Sequence, residues 1–251
     1  MTKRKSALIT GASSGIGLAT ATLLLKNNFS VHGVSRRETV PGLNHQQYTG
    51  ITLDLGNLES TDKKIRSLLN EQDFDCFIHA AGYGSFGSIE QFSVSQIDQA
   101  IRVNLTSALI LSRALVPAFR RRKQGHMIFI GSESSINGGK KGALYSAAKF
   151  GLRGLCQAMR EDCASDGMKV CLINPGMVRS PFFDKLAFAP AANPENAIEV
   201  ADVSKVIWQV LQSNPDIVFD EINLSPRVKS IDFSGQGDKP VPCPASKHIK
   251  N

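Results

Sequence analysis

The sequence predicts an α/β protein with a doubly wound parallel sheet of about seven strands, helices on both faces of the sheet, and a single domain. Three observations lead to this fold class. Short apolar stretches alternate along the chain with helical patterns or tight turns. A glycine-rich turn separates the first strand from the first helix. Small, polar or charged residues follow the strands, at the sheet edge where parallel sheets bind ligands.

Apolar runs and their periodicity give the order of the elements. Strands are predicted at 7–9, 31–35, 48–53, 74–78, 127–130, 169–173 and 221–224. Helices are predicted at 18–27, 58–69, 94–119, 145–165 and 200–211. These elements place one domain at 1–227. The remaining residues, 228–251, are polar and rich in Pro and Gly, so we expect a partly disordered C-terminal tail.

The charge of the chain is concentrated at its two ends. The formal net charge is +7, and Lys3, Arg4 and Lys5 supply three of these charges. The tail from Arg227 onward carries five basic and two acidic residues, which leaves the body near neutral. A basic run at 120–123 ends a helix, where cations suit the dipole. The distribution predicts no nucleic-acid partner.

Composition and cysteine usage predict a cytoplasmic protein. Hydrophobic residues make up 42% of the chain and charged residues 20%, as in ordinary soluble proteins. No apolar run approaches the length of about 18 residues that a membrane span needs, and the basic N terminus is not followed by a signal-peptide core. We therefore expect no membrane partner. The five cysteines form no C-x-x-C pair, which predicts reduced buried thiols and no metal site.

The glycine-rich turn predicts a phosphate-binding element. Glycines allow close backbone approach to a pyrophosphate, and the following helix presents N–H groups and a positive dipole end. Its candidate cofactor contacts are Gly11, Ser13, Ser14, Gly15, Ile16 and Gly17.

The second strand ends in Ser35, Arg36 and Arg37. An NAD site would carry a carboxylate at this position for the ribose 2′-hydroxyl, whereas arginines suit a 2′-phosphate. They could also be solvated loop charges, but their position favours NADP(H).

Tyr145 and Lys149 predict an acid-base pair. They stand four residues apart and so share one face of a helix. A phenol has an ordinary pKa near about 10, and an adjacent ammonium favours the phenolate. Ser132 follows a predicted strand, where its hydroxyl could bond the same substrate oxygen as Tyr145. A chance pair on a solvated helix is the alternative explanation of the spacing.

The segment 179–198 is irregular, with several prolines and the apolar residues Phe182, Phe183, Leu186 and Phe188. Such a loop inside a domain is often a lid, although a packed surface excursion is equally compatible with its composition. Of these two explanations we predict a short substrate lid, and we call residues 179–198 the lid.

In the order of its motifs the chain resembles the short-chain dehydrogenase/reductase family, over roughly residues 6–226. The segment 10–17 matches the family's T-G-x-x-x-G-I-G turn, and Tyr145 with Lys149 matches its Y-x-x-x-K motif. His79-Ala80 stands where the family usually has two asparagines, and Ser180 where Thr is more usual. The resemblance implies further cofactor contacts at Asp54, Leu55, Ala80, Ala81, Gly82, Pro175, Gly176 and Val178. It also implies a Rossmann-type fold.

The resemblance implies a catalytic tetrad of Asn104, Ser132, Tyr145 and Lys149. In the implied mechanism a hydride passes between nicotinamide and a carbonyl or alcohol carbon, with Tyr145 as the general acid and Ser132 polarising the carbonyl. Lys149 is expected to lower the pKa of Tyr145 and, with Asn104 and Tyr145, to contact the cofactor side. Members of the family usually pair through two long helices, which implies a homodimer or homotetramer through 94–119 and 145–165.

The substrate is a small molecule whose identity stays open. The segment 221–227 and the short lid resemble the branch of serine and 3-hydroxy acid dehydrogenases, and Arg179 could pair with a substrate carboxylate. Ser132, Tyr145, Phe182 and Phe183 are the other candidate substrate contacts. One alternative is a 3-oxoacyl or general carbonyl reductase. Another is an NADPH-binding regulatory protein on the same fold.

Overall fold

The computed structural model describes residues 4–37, 40 and 42–233. The strands are β1 Ser6–Thr10, β2 Ser30–Ser35, β3 Tyr48–Thr52, β4 Cys76–His79, β5 Gly125–Ile130, β6 Met168–Pro175, β7 Val178–Arg179, β8 Ala189–Pro190, β9 Ile198–Glu199, β10 Glu221–Leu224 and β11 Ile231–Asp232. The α-helices are α1 Gly15–Lys26, α2 Leu58–Glu71, α3 Val94–Ile101, α4 Ser107–Arg122, α5 Ala143–Cys163 and α6 Val200–Gln212.

Seven strands form one parallel sheet in the order β10-β6-β5-β4-β1-β2-β3. The order reverses direction beside β1, so the carboxyl ends of β1 and β4 border a crevice. The predicted fold class, a doubly wound parallel sheet of seven strands, is confirmed. Strand ends differ from the prediction by up to about two residues, as local patterns fix boundaries poorly. The fourth strand, for example, begins at Cys76 instead of residue 74.

The core lies in two layers, one on each face of the sheet. On one face, apolar residues of α2, α4 and α5 pack on strand residues such as Phe77 and Phe129. On the other face, α1 and α6 pack on residues such as Ile78 and Ile128. Successive residues of a strand thus enter opposite layers, as the pleat requires. The four cysteines within the described part of the chain are free and buried. Cys243 lies outside it.

The helix predicted at 94–119 is interrupted by a π turn. The chain forms α3, then a π-helical segment at Arg102–Thr106, then α4. We expected no apolar segment of membrane-spanning length, yet Val94–Arg122 reaches that length and apolar composition. Length and composition alone are weak evidence for a span. Here residues such as Leu111 and Leu115 of this stretch are fully buried in the core.

The segment after β10 is structured further than the sequence predicts. β11 pairs antiparallel with β8, which lies in the lid. The Ala191 N–H donates to the Ser230 carbonyl (3.1 Å), and the Val228 N–H donates to the Glu195 carbonyl (3.0 Å). We call residues 227–233 the C-terminal strap. Backbone bonds to the lid order residues 228–233, and the partly disordered tail stays a prediction for residues 234–251, which lie outside the described chain.

Candidate active site

The glycine-rich turn is shaped by close backbone contacts. Gly11 has φ +70°, and a Cβ there would lie 2.9 Å from the backbone of Ala80 and Ala81. A Cβ on Gly17 would lie 2.3 Å from the Gly11 carbonyl oxygen. Only glycine fits either position without moving backbone. The turn therefore brings β1, the loop after β4 and the N terminus of α1 together. Ser13, Ser14, Gly15 and Ile16 lie on this turn or in the first turn of α1.

The arginines after β2 divide into two roles. Arg37 donates from Nη1 to the Ser13 carbonyl (3.3 Å), and its backbone N–H bonds the Ser35 hydroxyl. Arg36 is exposed at the same strand end. The structure therefore places Arg37 across the glycine-rich turn and leaves Arg36 at its rim. Asp54 and Leu55 follow β3 on the same edge of the sheet, with Leu55 buried.

Thr10 and His79 lock the turn to the loop after β4. The Thr10 hydroxyl lies 3.0 Å from His79 Nδ1 and also accepts the Ala81 N–H at 3.2 Å. His79 is fully buried, and burial, with a smaller effect of the Lys149 charge, lowers its pKa to about 3. His79 is therefore neutral at pH 7 and acts as a structural connector. The sequence pointed to neither residue as a site residue, since only the fold brings the two strand ends together.

Ser132 and Tyr145 meet at the carboxyl end of β5. The Ser132 N–H donates to the Asn174 side chain at 3.3 Å, and the Ser132 hydroxyl accepts from the Ser134 N–H at 3.1 Å. The same hydroxyl hydrogen-bonds the Tyr145 side chain. Tyr145 is only 6% exposed, and this burial raises its pKa above the ordinary value. The nearby Glu133 charge adds to the rise, and the Ser132 hydrogen bond opposes it.

Lys149 lies beside Tyr145 but is held by the strand. Its Nζ donates to the Ile130 carbonyl at the end of β5 (2.8 Å) and lies 5.7 Å from the centroid of the Tyr145 ring. Burial lowers the pKa of Lys149 to about 8. We expected Lys149 to lower the pKa of Tyr145. Burial of the phenol sets the net direction of the Tyr145 pKa here, so the lowering effect of Lys149 stays a prediction.

Asn104 occupies the π turn and holds the loop after β4. Its Oδ1 accepts the Tyr83 N–H at 3.0 Å, and its Nδ2 donates to the Tyr83 and Ala100 carbonyls at 3.2 and 3.1 Å. A Cβ on Gly82 would lie 2.7 Å from Asn104 Oδ1 and 3.7 Å from Lys149 Nζ. The structure thus brings Asn104, Lys149, Tyr145 and Ser132 into one site, next to the loop that contains Gly82.

The end of β6 forms the other wall of the crevice. Pro175 is its last residue, and the Gly176 N–H donates to the Leu224 carbonyl of β10 at 2.8 Å. Val178 is buried and pairs with Ile198 in a two-stranded parallel ladder. These contacts fix the segment that leads into the lid.

Arg179 is used by the lid itself. Its Nε pairs with the Glu199 carboxylate at 3.2 Å, and its Nη2 donates to the Ala191 and Asn193 carbonyls, both at 3.2 Å. We predicted that Arg179 could bind a substrate carboxylate. In the structure these donors instead bind groups of the protein itself. The path of the lid brings Glu199 and the Ala191 and Asn193 carbonyls next to the Arg179 side chain.

Aromatic side chains cover Tyr145. The Phe86 and Phe182 rings lie 5.0 and 5.8 Å from the Tyr145 ring, centroid to centroid. Further ring contacts extend the group to Phe183, Phe188 and Phe233. We call Phe86, Phe182, Phe183, Phe188 and Phe233 the aromatic cluster. The predicted substrate contacts Phe182 and Phe183 belong to it. Phe86 and Phe233 were missed, since each comes from a segment without a recognisable motif.

Comparison with known proteins gives the family. The short chain dehydrogenase family profile matches residues 5–189. The chain belongs to the short-chain dehydrogenase family. It is therefore an oxidoreductase of that family. Within the described part of the chain, no group of three or more His, Cys, Asp and Glu side chains is arranged to hold a metal ion.

Several curated relatives are about one-third identical to this chain. The uncharacterized oxidoreductase YbbO of Escherichia coli K12 is 31% identical over 199 residues, which are 76% of this chain and 74% of that protein. The 3-oxoacyl-(acyl-carrier-protein) reductase FabG of Buchnera aphidicola is 32% identical over 188 residues, 73% of this chain and 77% of that protein. The 3-ketodihydrosphingosine reductase of Bacteroides thetaiotaomicron is 30% identical over 178 residues, which are 70% of this chain and 65% of that protein.

Solved structures share the fold across most of the chain. A metagenomic short-chain oxidoreductase in complex with NADP has a TM-score of 0.76 and 26% identity, covering 90% of this chain and 98% of that one. The closed form of serine dehydrogenase complexed with NADP+ has a TM-score of 0.78 at 20% identity, covering 93% and 99%. At 20% identity, the second likeness speaks for the fold alone.

Proposed function

We propose that this short-chain dehydrogenase transfers a hydride between NADP(H) and a small carbonyl or alcohol. The observation that carries the proposal is the meeting of Ser132, Tyr145 and Lys149 at the sheet edge that also holds the glycine-rich turn. The metagenomic relative that is 26% identical was solved with NADP, which supports the choice of cofactor.

The residues present fit a dinucleotide. The close approach of Gly11 to the Ala80 backbone, and of Gly17 to Gly11, holds the turn against the N terminus of α1, whose N–H groups suit a pyrophosphate. Arg36, exposed at the end of β2, supplies positive charge for a 2′-phosphate. When bound, the nicotinamide supplies or accepts the hydride.

Tyr145 is placed for proton donation beside Ser132 and Lys149. A phenol is protonated at neutral pH, which is the state needed to protonate a carbonyl oxygen during reduction. Ser132, hydrogen-bonded to Tyr145, is placed to donate to the same oxygen. Lys149 supplies a buried positive charge beside the phenol as it loses its proton. Asn104 fixes the loop at Tyr83 and Gly82 that borders this group.

We propose that the substrate is a carbonyl compound rather than a 3-hydroxy acid. A 3-hydroxy acid would need a cation for its carboxylate, and Arg179 is engaged by Glu199. This choice corresponds to a 3-oxoacyl or general carbonyl reductase. It is supported by two relatives whose names specify a 3-oxoacyl and a 3-keto substrate.

We also propose a homodimer or homotetramer formed through α3, α4 and α5. Large apolar side chains are exposed on these helices, namely Val94 (83%), Leu109 (43%) and Phe150 (42%). Light scattering tests this assembly, and a monomeric mass at micromolar concentration would contradict it. Reduced, buried thiols support the cytoplasm as the location.

The test of the activity is Tyr145→Phe, with NADPH oxidation measured against a panel of aldehydes, ketones and 3-oxo esters. Loss of the hydroxyl should lower kcat by about 10²–10⁴-fold and leave the NADPH Kd unchanged, since only the proton donor is removed. Tyr48→Phe is the matched control, because the Tyr48 hydroxyl is buried without a partner and lies on β3.

Equal turnover of the two variants would refute the role of Tyr145. Tight NADPH binding without turnover of any carbonyl would instead favour the regulatory alternative.

A further inference from the structure

The aromatic cluster, together with Leu186, covers the proposed proton donor. We infer that the site accepts a neutral carbonyl compound with an extended apolar group, and that Phe86 and Phe182 set this specificity. The inference rests on the proposed function, and it assigns the substrate class for the same site.

The geometry directs an apolar group to these two rings. Phe86 and Phe182 each contact the Tyr145 ring, so any carbonyl that reaches the Tyr145 hydroxyl passes beside them. Phe86 also contacts Phe188 edge-on at 5.0 Å, and Phe182 contacts Phe183 at 5.1 Å. These rings are all only half-buried, as is typical of the apolar wall of a ligand groove.

Gly84 explains how the lid rests on the cluster. A Cβ at Gly84 would lie 2.9 to 3.0 Å from the Phe86, Leu186 and Phe182 side chains. The absence of a side chain at this position lets two lid residues and one residue of the loop after β4 converge. The apolar wall beside Tyr145 thus comes from two separate segments, and its half-exposed rings are open to a substrate chain.

The charges at the site disfavour a carboxylate substrate. Glu133 is next to Ser132 in sequence, and its charge contributes to the raised pKa of Tyr145. Three cations that tie down the lid and strap are already paired: Arg179 with Glu199, Arg227 with Glu195 and Lys229 with Glu133. Lys149 donates to the Ile130 carbonyl beside the Tyr145 ring. To pair with Arg179, Arg227 or Lys229, an anionic substrate would have to displace a carboxylate from an existing ion pair.

The test compares initial rates of NADPH oxidation with 3-oxobutanoate, ethyl 3-oxobutanoate, ethyl 3-oxohexanoate and ethyl 3-oxooctanoate. The first two differ in charge and the esters differ in apolar length. We expect kcat/KM to be at least about tenfold higher for the ester than for the acid, since burying an unpaired charge is costly. It should rise by about two- to fourfold for each added methylene that becomes buried.

Phe182→Ala and Phe86→Ala should flatten this dependence on length. The octanoate ester should lose about tenfold in kcat/KM and the butanoate ester clearly less, because the longer chain buries more apolar surface against the missing ring. Phe182→Leu should restore part of the increase of kcat/KM with chain length, which we call the slope. Phe219→Ala, at a half-exposed phenylalanine between α6 and β10, is the matched control and should keep the wild-type slope.

A flat dependence in the active wild type, or a preference for the acid, would overturn the inference and leave the proposed function intact. If no compound is turned over and Tyr145→Phe matches the wild type, the proposed function fails. Binding of the neutral fluorescent probe N-phenyl-1-naphthylamine then decides the inference alone. Affinity at least about tenfold lower in both alanine variants supports the apolar site, and equal affinity refutes it.

Discussion

The glycine-rich turn and the lid lie at the same edge of the sheet, but they are held by different contacts. In the turn, missing side chains let backbone meet backbone, as where a Cβ on Gly17 would lie 2.3 Å from the Gly11 oxygen. In the lid, side-chain rings such as Phe182 and Phe188 make the contacts, with a two-residue ladder between β8 and β11. The first arrangement tolerates almost no substitution. The second can change its side chains and keep its path, which suits a surface that selects a substrate.

The largest effect is expected from Gly17→Ala, which tests the rigidity of the turn. The new methyl group would overlap the Gly11 carbonyl, so backbone must move. We expect an NADPH Kd about a hundredfold weaker, which corresponds to about 3 kcal/mol. Isothermal calorimetry measures this change. Gly154→Ala is the control, because a Cβ there meets nothing within 4 Å and should stabilise α5 by about 1 kcal/mol. Equal effects of the two variants on the NADPH Kd would contradict the close packing of the turn at Gly17.

His79→Asn tests the buried connector beneath the turn through the pH dependence of stability. The pKa of His79 is about 3 in the folded protein and about 6.5 when unfolded, so only the unfolded chain gains its proton as pH falls from about 6.5 to 3. Stability present above pH 6.5 is therefore lost over this window, on the order of 2 kcal/mol at about pH 5. Urea unfolding should show that His79→Asn lacks this contribution, while the exposed-site control His45→Asn keeps it. A slope unchanged by His79→Asn would contradict the buried neutral state.

Arg36→Asp tests whether a side chain at the rim of the glycine-rich turn selects NADPH over NADH. Replacing the cation with a carboxylate should shift the kcat/KM ratio of NADPH to NADH toward NADH by about ten- to a hundredfold, since a charge-assisted hydrogen bond is lost. Arg121→Asp, on the exposed end of α4, repeats the charge change elsewhere and should leave the ratio unaltered. An unchanged ratio in Arg36→Asp would place the 2′-phosphate site elsewhere.

The smallest effect is expected from Phe233→Ala in the strap. Phe233 is 72% exposed, and its ring contacts Phe188 of the lid at 6.4 Å between ring centroids. Losing this ring pair should raise the hydrogen-exchange rate of the Ala191 amide by about threefold, because that amide bonds the Ser230 carbonyl. Phe219→Ala should not change it. Exchange unaffected by Phe233→Ala would mean that the backbone bonds and ion pairs hold the strap without this ring pair.

The sequence predicts the turn side of the site far better than the lid side. The succession of strands along the chain, the glycine-rich turn and the Tyr145–Lys149 pair follow from local patterns, since backbone geometry demands particular residues at fixed spacing. The contact of Phe86 with Tyr145 depends on how the loop after β4 crosses the sheet edge. The pairing of Arg179 with Glu199 depends on the path of the lid. No short pattern encodes either path.

The π turn at Arg102–Thr106 has a consequence for reading related sequences. Its hydrogen bonds, such as the one from the Ser107 N–H to the Arg102 carbonyl, enclose one residue more than an α-helical turn does. A single-residue deletion here could restore a regular helix with α3 and α4 in the same phase, because about five residues of a π turn span the same rotation as about four of an α-helix, but it would displace Asn104 from the wide turn. An alignment that closes a one-residue gap in this stretch therefore changes which residue faces the site, even where every neighbouring residue is identical.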